Sequence, residues 1–181
     1  MTRARRSMKV LWAPWRMTLI CAPKRKGCIF CELPRKGDAR DNLVLAVTSR
    51  SVVMLNRYPY SNAHLLIAPR RHVAQLDRLG VAERRDLDDT LRASIGILRR
   101  NLRPEGMNVG MNLGEVAGAG IADHLHWHVV PRWKGDTNFM PVLGSVRVIP
   151  QHLLESYDSL SPSFSVIRRR SPPVAAGRRR R

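Results

Sequence analysis

One short stretch constrains this chain more than any other, because histidine alternates with large apolar residues over His124-Leu125-His126-Trp127-His128-Val129-Val130. Such alternation is the period of a half-buried β-strand, on which every second side chain points to the same face. The three imidazoles therefore stand in a row, at steps of roughly 6.5–7 Å. The chain has only six histidines in 181 residues, and three of them lie here. We therefore expect a functional site on this strand rather than an incidental surface row.

Three imidazoles on one strand face are compatible with several kinds of chemistry. They can ligate a transition metal, exchange protons near neutral pH, or include a nucleophile that takes up a transferred group. The preceding segment, residues 112–120, is a glycine-rich loop. Glycine lets backbone N–H groups approach an anion closely. A phosphate-binding loop beside a row of histidines favours phosphoryl or nucleotidyl transfer.

The alternating histidines, followed by Pro131 and Arg132, resemble the signature of the histidine-triad (HIT) family of nucleotide hydrolases and transferases. The resemblance runs from about Leu11 to Leu154. Segments 11–17, 55–60 and 108–114 are most similar to the branch that contains bacterial diadenosine tetraphosphate phosphorylases. This resemblance implies an enzyme of nucleotidyl transfer or hydrolysis that acts on dinucleoside polyphosphates.

The resemblance implies an α+β fold, in which a HIT-like antiparallel sheet of five to six strands carries one long helix and a short C-terminal helix. Apolar or alternating runs predict the strands 43–47, 51–56, 64–69, 107–113, 124–130 and 145–149. Leucine and isoleucine recur at helical spacing between Val81 and Leu102, which predicts the long helix. A short helix is predicted to begin at Gln151.

Composition bounds the class and the compartment of the protein. The net charge is +18, but the seven arginines of residues 168–181 and the four basic residues of 1–9 account for eleven of these charges. We expect a flexible basic arm over 1–9, a HIT domain over 10–160 and a disordered Arg-, Pro- and Ser-rich tail over 161–181. The tail could contact nucleic acid non-specifically or remain solvated without a partner. No membrane span and no secretory signal are indicated, so we expect a cytoplasmic protein.

A second motif is Cys28-Ile29-Phe30-Cys31. A Cys-x-x-Cys pair can bind one tetrahedral zinc ion but needs two more ligands, and two incidental cysteines are the alternative. In many HIT-related proteins two histidines complete the pair. The resemblance places them at His72 and at His124, so it implies a structural zinc held by Cys28, Cys31, His72 and His124.

The resemblance also assigns roles in catalysis. His126, the middle histidine, is implied as the nucleophile that attacks the α-phosphorus and forms a nucleotidyl-imidazole. His128 is implied as a phosphate ligand that stabilises the charge developing during transfer. Water or inorganic phosphate then releases the nucleotide, and phosphate would be the co-substrate of a phosphorylase.

Substrate-binding residues are implied in the same way. Asn56 matches a polar residue that contacts ribose, although an asparagine before Tyr58-Pro59-Tyr60 is also typical of a turn. His64 stands where the family has a histidine near the active centre, either supporting the site or acting in it. The family pattern places Asn112 and the loop amides around Gly118 and Gly120 on the phosphate.

One departure from the family pattern affects the expected activity. The loop ends in Ala119-Gly120, where the family commonly carries a side-chain hydroxyl. A missing charge-assisted hydrogen bond typically costs about 1.5–3 kcal/mol, so activity would fall without being lost. Three hypotheses therefore stand: a HIT-type nucleotidyltransferase or hydrolase, including a hydrolase of nucleoside phosphoramidates; a weakly catalytic nucleotide-binding regulator; and a protein whose triad ligates a catalytic metal. The resemblance also implies a homodimer.

Overall fold

The computed structural model describes residues 27–35, 39–136 and 151–169. Three α-helices lie in these ranges: α1 (Ile29–Glu32), α2 (Val81–Leu102) and α3 (Leu153–Arg169). Five strands accompany them: β1 (Val44–Val47), β2 (Ser51–Leu55), β3 (Leu65–Pro69), β4 (Gly106–Gly110) and β5 (Trp127–Arg132). Short 3₁₀ turns occupy Leu33–Arg35, Leu76–Arg78 and Glu115–Ala117.

The strands form one antiparallel sheet in the order β1-β2-β3-β5-β4. The predicted α+β class and antiparallel sheet are thus confirmed. The strand predicted over residues 145–149, the basic arm 1–9 and residues 170–181 lie outside the described residues. Strand β5 lies between β3 and β4 and is hydrogen-bonded to both of them, so the position of its side chain His128 is fixed from two sides.

The histidine-bearing strand differs from its prediction at both ends. It begins at Trp127, whereas 124–130 was expected, because the pairing with β3 stops at Ile67 opposite Trp127. His124 and His126 precede the strand, in a segment where the backbone N–H of Leu125 donates to Val73 O at 2.7 Å. The strand also continues through Pro131, which was expected to close it. Proline is tolerated there because β3 pairing ends at Val129 and only β4 remains alongside.

The long helix follows its predicted bounds, Val81–Leu102. Its apolar stripe packs into a core on one face of the sheet, where Leu87, Ile97 and Leu98 are buried. The helix ends at Leu102, and the next residue, Arg103, adopts a left-handed conformation immediately before Pro104. None of the described helices combines the length and the apolar composition needed to cross a membrane.

The C-terminal helix corrects two expectations. It runs for 17 residues to Arg169, so it is not short, and residues 161–169 are helical rather than part of a disordered tail. The physical reason is the apolar set Leu160, Phe164 and Ile167, which lies at helical spacing and is buried in the core. Pro162 lies inside the helix without ending it.

The two faces of the sheet have different neighbours. One face carries residues such as Leu45, Val53 and Ile67 and packs against α2 and α3. The other carries Val52, Met54 and Leu66 and packs against Phe30 and Leu33 of the short N-terminal helical turns. His128 is paired with Leu66, so it belongs to this second face.

Candidate active site and metal centre

Four sulfur and nitrogen ligands meet at the end of the sheet where β3 stops. Cys28 lies directly before α1, and Cys31 lies within it. His72 follows β3, and His124 precedes β5. One ligand atom from each residue can be chosen so that all four lie within 4.8 Å of one another. The sequence-predicted metal set is thus brought together by segments up to 96 residues apart.

The distances within this group fit a tetrahedral metal site. Cys28 Sγ lies 3.2 Å from His124 Nδ1, and Cys31 Sγ lies 3.6 Å from the same nitrogen and 3.5 Å from His72 Nδ1. Zinc bonds of about 2.0–2.3 Å imply ligand separations of roughly 3.3–3.8 Å around a tetrahedron. The donor set therefore suits zinc in both chemistry and spacing.

Hydrogen bonding leaves the correct nitrogen of His124 free for a metal. Its Nε2 donates to the carbonyl oxygen of Pro69 at 2.7 Å, so the neutral ring keeps an unprotonated Nδ1 facing the two cysteines. Burial lowers the pKa of His124 to about 4, which keeps the ring neutral. Burial, followed by the neighbouring Cys28, raises the pKa of the Cys31 thiol. A bound dication would oppose that effect by stabilising the thiolates.

The ring of His126 presents the opposite nitrogen. Its Nδ1 lies 2.8 Å from the backbone carbonyl oxygen of His124, which can only accept, so Nδ1 carries the proton. Burial lowers the pKa of His126, and the side chain is 4 % exposed. The neutral ring therefore has its lone pair on Nε2, so this nitrogen can act as a nucleophile.

A chain of hydrogen bonds fixes the tautomer of His128. The backbone N–H of Tyr60 donates to His64 Nδ1 at 3.1 Å, and Asn56 Nδ2 lies 3.2 Å from the same atom. His64 Nε2 must then carry the proton, and it donates to His128 Nδ1 at 2.9 Å. The remaining nitrogen of His128, Nε2, is therefore an N–H donor.

Burial, followed by the nearby His126, lowers the pKa of His128 to about 4. The rings of His126 and His128 are 4.9 Å apart. Near neutral pH the site thus places an unprotonated imidazole nitrogen beside an N–H donor on a neutral ring. Such a pair can attack an electrophilic centre and hydrogen-bond its oxygens.

Of the predicted phosphate-binding groups in the glycine-rich loop, some are available to a ligand and one is not. Asn112 Nδ2 donates to Gly118 O at 3.2 Å, which ties the start of the glycine-rich loop to its middle. The N–H of Gly118 donates to Glu115 O at 2.8 Å, so it is committed within the 3₁₀ turn and is not free for phosphate, contrary to expectation. The amide of Gly120 has no backbone partner among the described residues and remains available.

Two aromatic residues contribute to the site although the sequence did not single them out. Phe30 lies between the two cysteines of the metal group, and its ring centroid is 5.1 Å from those of both His124 and His126. The Tyr60 ring lies 4.8 Å from His64 and stacks at 6.0 Å on His128. The position of Phe30 inside the Cys-x-x-Cys motif was the available signal, since any residue there must lie near the ligands.

Comparison with known proteins agrees with this arrangement. Residues 38–135 match the model of the HIT domain family. The chain is 38 % identical over 170 residues to the AP-4-A phosphorylase of Mycobacterium tuberculosis, which covers 89 % of this chain and 87 % of that protein. It is 31 % identical over 105 residues to an adenosine 5'-monophosphoramidase of Schizosaccharomyces pombe, covering 58 % of this chain and 74 % of the relative.

Solved structures show the same fold. The crystal structure of a Zn-bound histidine triad family protein from Mycobacterium smegmatis superposes with a TM-score of 0.60 at 21 % identity. The superposition covers 78 % of this chain and 95 % of that protein. The family match spans more than half of the chain and contains all five histidines described above, whereas Cys28 and Cys31 precede it. The chain belongs to the HIT domain family.

Proposed function

We propose that this protein is a nucleotidyl-transfer enzyme that acts on dinucleoside polyphosphates, in the manner of a diadenosine tetraphosphate phosphorylase. The observation that carries the proposal is the opposite protonation of two neighbouring rings: His126 offers a lone pair at Nε2, and His128 offers an N–H. The relative that is 38 % identical bears the name AP-4-A phosphorylase, which favours this substrate class.

In the first half-reaction, His126 Nε2 attacks the α-phosphorus of the substrate. A nitrogen–phosphorus bond forms, and the bond from phosphorus to the bridging oxygen breaks. For diadenosine tetraphosphate the leaving group is ATP, which departs as an anion and needs no proton. The ring becomes a cation that still carries its proton on Nδ1, and the carbonyl oxygen of His124 stabilises that cation through the existing hydrogen bond.

In the second half-reaction, an acceptor attacks the same phosphorus and the nitrogen–phosphorus bond breaks. Inorganic phosphate as acceptor gives ADP, and water gives AMP. His126 recovers its lone pair in either case. His128 donates its Nε2–H to a non-bridging oxygen in both half-reactions, where charge accumulates in the transition state. Splitting one displacement into two steps is the advantage of a covalent intermediate.

Substrate contacts follow from the groups that remain available. We propose that Asn112 and the amide of Gly120 bind the phosphate and that Asn56 contacts the ribose. Gly118 contributes by its φ of +88°, which lets the loop turn, rather than by donating. Ala119 supplies no hydroxyl, so a hydrolase of dinucleoside polyphosphates or nucleoside phosphoramidates is the second candidate, favoured by the relative named as a monophosphoramidase.

We propose that Cys28, Cys31, His72 and His124 hold a structural zinc ion. When bound, zinc would tie α1 to the sheet by replacing the weak thiol and imidazole contacts with metal bonds. It would take no part in the transfer. His126 and His128 are poorly suited to a catalytic metal, because each commits its Nδ1 to another hydrogen bond and His128 keeps a proton on Nε2.

We further propose a cytoplasmic homodimer. Among the described strands β4 is an edge of the sheet, and Gly106, Asn108 and Val109 are exposed along it. An exposed antiparallel edge can pair with the same edge of a second copy. Size-exclusion chromatography with light scattering tests this, since Val109→Lys would give a monomer if β4 forms the interface.

The decisive experiment supplies purified protein with diadenosine tetraphosphate, with and without inorganic phosphate, and separates the products. A phosphorylase yields ADP and ATP only with phosphate, whereas a hydrolase yields AMP and ATP without it. Adenosine phosphoramidate serves as the substrate of the second candidate. Binding of diadenosine tetraphosphate without turnover of either compound would overturn the enzyme proposal and leave a nucleotide-binding regulator.

A further inference from the structure

The C-terminal half of α2 carries a surface that the active site does not use. Between Thr90 and Pro104 the sequence contains four arginines and no acidic residue. These are Arg92, Arg99, Arg100 and Arg103, and all four are exposed. None of them makes a salt bridge to a described residue. We call this set, together with Gly96, the basic stripe.

Helical geometry places the basic stripe on one side. Arg92, Gly96 and Arg99 are spaced by four and three residues, so they share a face opposite to the buried Ile97 and Leu98. Arg103 follows directly after the end of the helix. At about 1.5 Å per residue, the arginines at 92 and 99 are separated by roughly 10 Å along the axis. Guanidinium groups at such spacing suit a row of phosphates.

Two positions in this stripe act against local conformational preference. Gly96 stands in the middle of a helix, where alanine would stabilise the helix more. Arg103 occupies the left-handed position after the helix with a φ of +46°, where glycine or asparagine is preferred. A stretch selected for helix stability alone would reverse these choices. Departures of this kind concentrate at functional surfaces.

Packing does not explain the glycine. A Cβ built on Gly96 would meet only the guanidinium of Arg100, at 3.3 Å, and Arg100 is a flexible side chain. No other described element approaches Gly96 closely enough to exclude a methyl group. The glycine therefore leaves a shallow gap between Arg92 and Arg99, through which an external backbone can approach the helix.

We propose that the basic stripe binds the phosphate backbone of double-stranded nucleic acid without reading its sequence. The four arginines, in a stretch from Thr90 to Pro104 that itself contains no acidic residue, supply the phosphate contacts. Single-strand binding relies on stacking, and α2 carries no aromatic residue. Peripheral membrane binding relies on apolar residues beside the basic ones, and the apolar side of α2 is buried in the core.

The position of the stripe lets binding and catalysis coexist. Helix α2 packs on the sheet face that carries Val53 and Ile67, whereas His128 lies on the opposite face. A duplex on the stripe would therefore leave the proposed nucleotide site open. The proposal does not depend on the enzymatic activity, and it fails or holds separately from it.

The test is duplex binding by the full chain, measured by fluorescence anisotropy of a labelled 20-base-pair DNA of mixed sequence across a salt series. We compare Arg99→Gln/Arg103→Gln with the matched control Arg84→Gln/Arg85→Gln, which removes the same charge from exposed positions of the same helix beside acidic residues. We expect Kd to rise at least about 10-fold for the first pair and less than about 3-fold for the control. The salt dependence should also weaken by about 0.9 for each lost phosphate contact, seen in the slope of log K against log salt.

Equal losses in both pairs would assign binding to net charge alone and overturn the proposal. Unchanged binding in Arg99→Gln/Arg103→Gln would assign it to other basic segments and overturn it too. Preferential binding to single strands, or to vesicles containing anionic lipid, would replace the proposed partner. Gly96→Gln sharpens the test, because it keeps the charge while filling the gap. We expect it to weaken duplex binding without lowering the melting temperature, and unimpaired binding would contradict close approach at Gly96.

Discussion

His124 and His126 are separated by a single residue, yet they belong to two different groups of side chains. His124 keeps its proton on Nε2 and turns Nδ1 to the cysteines, whereas His126 keeps its proton on Nδ1 and leaves Nε2 unprotonated. Both rings are buried, and both touch Phe30. The difference lies in which ring nitrogen meets a backbone carbonyl: Nε2 of His124 meets Pro69 O, and Nδ1 of His126 meets His124 O.

This contrast teaches that the residue type alone does not assign the chemistry. An imidazole becomes a ligand or a nucleophile according to the nitrogen that a second hydrogen bond leaves free. His124 connects the two groups. Its ring faces Cys28 and Cys31, and its backbone carbonyl accepts the hydrogen bond from His126 Nδ1. Substitutions at the two positions should therefore separate stability from catalysis.

The largest expected effect comes from removing the ring of His126. We expect His126→Gln to lower kcat for diadenosine tetraphosphate by about 10⁴-fold, because no other group can form the covalent intermediate. Zinc content and melting temperature should stay near those of the wild type. Atomic emission spectroscopy and differential scanning calorimetry measure both. Residual activity within 10-fold of the wild type would exclude His126 as nucleophile.

The complementary change, His124→Gln, should act first on stability. We expect loss of bound zinc and a decrease of about 3 kcal/mol or more in the free energy of unfolding, because the buried ligand and its hydrogen bond to Pro69 are both lost. Cys28→Ser provides a second route to the same loss without touching the triad. A full zinc complement in both variants would contradict zinc binding by these four residues.

A smaller effect is expected where the protonation of His128 is set. His64→Phe removes the N–H that donates to His128 Nδ1, so His128 can place its proton on either nitrogen. We expect kcat to fall by about 10- to 100-fold with little change in KM. His64→Gln, whose amide can still donate, should recover part of the activity. Equal losses in the two variants would mean that His64 contributes packing rather than a hydrogen bond.

Substitution of Phe30, whose ring contacts both His124 and His126, should give a more modest effect. Phe30→Leu removes ring atoms that contact both His124 and His126, at a cost of about 1–2 kcal/mol in the free energy of unfolding. Zinc affinity and kcat should both decline slightly in the same variant. Isothermal titration with zinc and steady-state kinetics follow the two effects, and a decline confined to one of them would show that Phe30 supports a single group.

The smallest expected effect concerns pH. Burial lowers the pKa of His128 from its usual 6.5 to about 4, so the ring should stay neutral between pH 8 and 5. Because the unfolded chain takes up this proton more readily, the contribution to stability is complete above pH 6.5 and declines as pH falls toward 4. A histidine NMR signal assigned by its loss in His128→Gln should not shift over that range, while added free histidine titrates. A midpoint near 6.5 would contradict the burial.

Much of this architecture was predictable because its signals are local. The apolar stripe that includes Leu87, Leu91 and Leu98 predicted α2, and the period-two alternation correctly placed His128 in a strand. The four metal-binding candidates were found through the family resemblance, and the fold brings them together. Their roles in zinc binding and catalysis remain proposals.

What the sequence did not reveal depends on tertiary partners. Whether His124 and His126 belong to a strand is decided by where β3 ends, which is a property of another segment. The extent of α3 was missed because Ser161-Pro162-Ser163 has the composition of a linker, while the burial of Phe164 and Ile167 depends on the core they enter. Gly118 was misjudged because its amide is used by a turn that composition alone does not define.

Helix α3 has a consequence for how the protein is made. Tyr157 donates from its hydroxyl to Val44 O at 3.2 Å, and the helix packs on both β1 and α2, so the last described element completes the core begun by the first strand. Contacts spanning 113 residues form late and slow folding. A nascent chain keeps the α3-facing surface of β1 uncovered until the ribosome has released residues near Ile167. Folding during synthesis should therefore pause at a state with an exposed apolar sheet face. Such a state is prone to aggregation and is a target for chaperones until α3 has been made.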